Sequence, residues 1–138
     1  MAQTFCKIIG VVLLLVGVIG FASPHLLGLH LTQMHNIVHL LTGLLALYFG
    51  FAASADAART FAMIFGAVYL FLGILGFIAP ETVASILQMH RVEDTSNNLT
   101  PDNIVHLLLG GLFLIAGLVK SSHPIGIDTT DHGLHGHP

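Results

Sequence analysis

An all-α membrane protein with four transmembrane helices is the fold class this sequence predicts, and three observations predict it. First, 54% of the 138 residues are hydrophobic and only 8% are charged, with a mean hydropathy of +0.87. A soluble domain carries about a quarter charged residues, and a chain this short cannot hide so much apolar surface in its own core. Second, four apolar runs, residues 5–22, 35–53, 60–79 and 102–120, have no charge near their centres. Each approaches the ~20 residues that a hydrocarbon layer of about 30 Å demands. Third, the chain repeats itself: HNIVHLLTG at 35–43 returns as DNIVHLLLG at 102–110.

The first run resembles a signal sequence, because Lys7 precedes an apolar stretch and Gly20 and Ala22 would suit a small-residue cleavage site. The third run argues against cleavage. Phe5, Gly10, Gly17, Gly20, Phe21 and Pro24 recur 56 positions later as Phe61, Gly66, Gly73, Gly76, Phe77 and Pro80. Residues 60–79 read as a buried span, so their counterpart should be one as well. The second run recurs in the fourth with an offset of 67, so the second copy has a longer loop. The pattern is a tandem duplication of a two-helix unit. Each unit crosses twice, so the copies point the same way and are related by a pseudo-two-fold axis along the membrane normal.

Between the third and fourth runs, Pro80 and Glu81 suit a helix start. Val83, Ile86, Leu87 and His90 follow at helical spacing, which predicts a short interfacial helix. Thr100-Pro101-Asp102 reads as the opening of the fourth helix: a cap, a proline, then an acid in the first turn. The domain is expected over residues 1–120. Residues 121–138 are a polar, His-rich tail expected to be disordered, in which His132, His135 and His137 form a weak metal-binding triplet.

Lys7, Arg59 and Lys120 share one side and only Arg91 lies on the other. The positive-inside rule therefore places both termini in the cytoplasm. The net charge of −3 includes no basic patch, which excludes a nucleic-acid partner. A lone Cys6 forms no internal disulfide. No nucleophile sits beside a base, no carboxylates pair within a span, and no phosphate loop occurs, so no enzymatic activity is expected. The expected partners are the lipid bilayer and either another membrane protein or a second copy of the chain.

Every run carries glycines seven apart. Two helical turns place each pair on one face, where small residues let helices approach closely in lipid. On the second helix Asn36, His39 and Gly43 share that face, with His35 slightly to one side. On the fourth, Asn103, His106 and Gly110 do the same, and Asp102 takes the place of His35. Ionisable groups within membranes turn towards the bundle interior.

Three readings of this polar stripe follow. In the first, Asn and His side chains hydrogen-bond across the axis and fix register, as expected of a non-enzymatic accessory or structural membrane subunit. In the second, His35, His39, Asp102 and His106 converge on a divalent transition ion such as zinc, nickel or copper. Asn36 and Asn103 then support the ligands. In the third, His39 and His106 ligate a haem, against which the close backbones at Gly43 and Gly110 argue. A small-solute or ion pathway is a further alternative, without a midplane charge or broken helix to support it.

The doubled Asn-x-x-His-x-x-x-Gly pattern at Asn36/His39/Gly43 and Asn103/His106/Gly110 resembles a group of small bacterial four-helix membrane proteins known only as a domain of unknown function. The likeness covers about residues 5–118. It implies a bacterial inner-membrane location and carries no activity with it.

Overall fold

A computed structural model describes residues 1–87 and 99–119. Among them are five α-helices and no strand: α1 (Ala2–Ala22), α2 (Gln33–Phe51), α3 (Ala55–Ile78), α4 (Pro80–Ile86) and α5 (Thr100–Leu118). Four of these, α1, α2, α3 and α5, are long and apolar enough to cross a membrane. Aliphatic and aromatic side chains such as Ile8, Leu41, Phe71 and Leu108 stay more than half exposed along them. Such a belt is costly in water and at no disadvantage in lipid.

Two helix starts lie ahead of the apolar runs because of capping. The Thr32 hydroxyl accepts the His35 amide at 3.2 Å, and Ser54 accepts that of Ala57 at 3.2 Å. Such caps contribute about 1 kcal/mol each. They draw α2 back to Gln33 and α3 back to Ala55, where hydropathy alone places the starts at 35 and 60. Helix α5 begins one residue before the expected opening. Its N-cap is Leu99, not Thr100, and the Leu99 carbonyl accepts the Asn103 amide. Leu99 is held there by burial against Val83, Ala84 and Leu87. Those contacts also pack α4 onto the bundle. His90, the last residue of the expected interfacial helix, and the tail histidines His132, His135 and His137 lie outside the described residues.

Helices pack chiefly in two antiparallel pairs, α1 with α2 and α3 with α5. The glycines make these interfaces. A Cβ built on Gly10 would stand 3.0 Å from the Gly43 carbonyl oxygen, and one on Gly43 3.0 Å from that of Gly10. In the other pair a Cβ on Gly110 would meet the Gly66 carbonyl at 2.9 Å and the Leu70 amide nitrogen at 2.6 Å. Any side chain there pushes two backbones apart, and close backbone contact is what holds helices together in lipid. Asn36 lies over Gly20 of α1, and Asn103 lies over Gly76 of α3. The asparagines therefore serve their own pairs and do not bond to each other across the bundle as the register reading expects. The reason is that the glycine face of each helix is spent on its pair partner.

Between the pairs, contacts are sparser and made by large side chains. Phe61, Phe113 and Tyr69 are buried with Cys6, Ala46 and Ala58. Tyr69 stacks on Phe113 with centroids 5.8 Å apart, and Phe5 meets Phe113 edge-on at 5.0 Å. This plug fills the middle of the bundle and leaves the buried histidines and asparagines to one end.

Candidate metal centre

His35 and His39 stand one helical turn apart on α2, and His106 reaches them from α5. His35 and His39 have ring centroids 4.3 Å apart, and His35 stacks over His106 at 5.6 Å. All three are buried. Each offers a ring nitrogen within 4.8 Å of the others. A tetrahedral ion with zinc–nitrogen bonds of about 2.0–2.1 Å holds its ligands roughly 3.4 Å apart. Binding an ion would require side-chain rotations that close this difference.

The hydrogen bonds prepare these rings. The His35 Nδ1–H donates to the His30 carbonyl at 2.9 Å. A carbonyl only accepts, so the proton is on Nδ1 and Nε2 presents a lone pair. That Nε2 is buried without a partner, as are Nδ1 of His39 and Nδ1 of His106. A buried polar atom left unpaired costs about 1–3 kcal/mol, and each ring of the cluster carries one. Ligating histidines commonly tie their second nitrogen to a backbone carbonyl in this way.

Asp102, which opens the string DNIVHLLLG as His35 opens HNIVHLLTG, does something else. Its Oδ1 accepts the His30 backbone amide at 3.0 Å and its Oδ2 accepts the His30 ring Nδ1–H at 2.9 Å. The structure thus brings together three of the four residues of the expected ligand set and turns the carboxylate to His30. Asp102 is the one buried acid among the described residues. It lines the same cavity as the imidazoles, where its charge favours a cation.

Asn36 and Asn103 do not contact the ring nitrogens through any hydrogen bond among the described residues. Asn36 Nδ2 donates to the Leu31 carbonyl at 3.1 Å, while Oδ1 of each asparagine is buried and unpaired. Gly43 and Gly110 lie on the pair interfaces and not at the cluster.

Neither His30 nor Tyr69 is among the site residues expected from the sequence. His30 sits in the loop, where no helical periodicity reports on direction, and its role depends on a path through Leu27 and Gly28, both with positive φ (56° and 77°). Tyr69 stacks on His106 at 5.6 Å. Its position three residues after Gly66 and four before Gly73 puts it on the glycine face, a signal that could have found it.

The fold and site together define a small all-helical protein with four apolar, span-length helices and a buried histidine cluster at one end. A family model described as "Domain of unknown function (DUF4383)" matches residues 3–119, and the chain belongs to that family. No curated protein and no solved structure matches the chain.

Proposed function

We propose that this is a non-enzymatic accessory protein of the bacterial inner membrane that holds a divalent transition ion, zinc, nickel or copper, through His35 Nε2, His39 and His106. The observation that carries the reading is a buried cluster of three imidazoles, each offering a ring nitrogen within 4.8 Å of the others, in which His35 Nε2 has no hydrogen-bond partner. A purely structural role for the imidazoles leaves that nitrogen uncompensated. Three imidazoles make an ordinary transition-metal donor set with one position open. Asp102 supplies the nearby negative charge and acts on His35 through His30.

The surrounding architecture is read as a tandem duplication about a pseudo-two-fold axis. The support is contact by contact. Gly17 faces Leu40 and Asn36, as Gly73 faces Leu107 and Asn103, and Gly50 faces Lys7, as Gly117 faces Met63. Both termini are assigned to the cytoplasm. Lys7 packs near Gly50, and Arg59 Nε donates to the Gly117 carbonyl. Those two cations therefore share the bundle end opposite the histidines, in keeping with the positive-inside rule.

The test is metal analysis of detergent-purified full-length protein beside His39→Ala, with the same histidine tail in both. One ion per chain in the wild type, lost in the variant, is expected. Equal metal content in the two, or none in either, removes the metal centre. A lower thermal stability of His39→Ala without metal then leaves the structural-subunit reading in its place.

A further inference from the structure

Among the described residues, the histidine cluster is shut on two sides and open on a third. At the bundle end, His30, Leu31 and Thr32 are buried over it. They are pinned by the Asp102 carboxylate, by the Leu31 amide to the Pro24 carbonyl, and by the Thr32 hydroxyl donating to the Leu87 carbonyl. Towards the middle of the bundle, Phe113 and Tyr69 close the space. Sideways, between α1 and α5, a cavity of about 250 Å³ reaches His35, His39 and His106.

Its outer walls are aliphatic, with Val12 and Leu13 on α1 facing Val105 and Leu109 on α5. Val12 and Val105 are both 44% exposed, so they form lips that open into the lipid-facing belt. The corresponding cleft between α2 and α3 measures only about 70 Å³, because Tyr69 and Phe65 stand where the first cleft has Leu13 and Ile9.

The geometry points to a lipid-side ligand for the open coordination position. It is an uncharged, membrane-soluble molecule with one nitrogen or sulfur donor and an apolar body of about one aromatic ring with a short tail. This rests on the metal reading above. The size follows from volume, since a cavity of ~150 Å³ already holds a benzene. The lack of charge follows from the aliphatic lips, which offer a charged group no partner on its way in, and from the one carboxylate in the lining, Asp102, being already bound by His30. The donor atom follows from the three imidazoles at the blind end, which leave a bound ion one position facing the cavity. Water-borne charged ligands are turned away by the pinned loop.

The test uses the full-length protein in lipid nanodiscs, loaded with Co(II) so that ligand exchange is visible in its absorption bands. The titrants at pH 8 are 4-phenylimidazole, neutral and lipid-soluble, and imidazole-4-carboxylate, charged and water-soluble. Expected is a saturable band shift with 4-phenylimidazole at one per chain, and a response to the carboxylate at least tenfold weaker. Val12→Trp and Val105→Trp, one on each lip, should each weaken 4-phenylimidazole binding at least tenfold with cobalt content unchanged. If one variant loses its cobalt, the other lip decides; if both do, the contrast between the two probes on the wild type decides. Equal responses to the two probes, or a band that never moves on a cobalt-loaded protein, overturn the lipid-side ligand and leave the metal centre standing. Failure of the wild type to hold cobalt overturns both.

Discussion

The pairs α1–α2 and α3–α5 make like contacts in unlike neighbourhoods. Within each pair, matched residues make matched contacts: Gly10 with Gly43 as Gly66 with Gly110, and Gly20 with Asn36 as Gly76 with Asn103. Where the pairs face each other, the residues diverge. His35 is answered by Asp102, Leu13 by Tyr69, and Ala46 by Phe113. The matching glycines and asparagines build the scaffold; the matching His39 and His106 meet at the centre, where the unmatched His35 joins them. Among the described residues the site is therefore uneven, with one open cleft, one filled cleft, three imidazoles and one buried carboxylate.

The largest expected effect breaks the equivalence of positions 35 and 102. His35→Ala should lower metal affinity on the order of 100-fold or more, whereas Asp102→Ala, which acts through His30, should lower it by roughly 10-fold. Competition with a chelator of known affinity measures both. Equal losses would make Asp102 a ligand after all.

Next is the scaffold. Gly110→Ala drives a Cβ into the Leu70 backbone nitrogen, while Gly43→Ala meets a carbonyl and a leucine side chain at 3.0 Å. The first should cost about 2–3 kcal/mol and the second about 1 kcal/mol, read from unfolding in detergent. Identical losses would mean that the pairs give way together and are not separately packed.

Asp102→Ala should also cost about 2 kcal/mol of stability, since it strands the buried His30 amide and ring nitrogen. Asp102→Asn should recover roughly half, because the amide oxygen still accepts from the backbone N–H. Thermal unfolding of the two variants side by side gives the answer, and no recovery would point to the charge and not the hydrogen bonds. The smallest change is expected from Tyr69→Leu, which makes the filled cleft like the open one. Leucine keeps most of the apolar volume, so the net cost should be about 1 kcal/mol. A cost several times larger would make Tyr69 a keystone of the core and not a filler of the cleft.

The short string Asn-x-x-His-x-x-x-Gly placed His39 and His106 on buried faces, and both are buried. It was also right that each glycine pair lies at a helix contact. Periodicity could say this because 100° per residue fixes which side chains share a face. It could not say which neighbour each face meets. Asn36 and Asn103 lie on the same faces as the histidines, yet their side chains are taken by Gly20 and Gly76. The imidazoles, from one turn further along the helix, reach past the pair interface to the centre.

Composition and repeat length alone determined that the chain has four span-length apolar helices, because hydrocarbon thickness and helical rise leave little choice. Tertiary structure alone decided that His35 presents Nε2 while Asp102 turns to His30. The two occupy one register position, so the choice comes from a loop carbonyl at His30 that donates nothing and accepts one proton. A loop's path is set by what it packs against, and no local pattern in residues 23–32 encodes that.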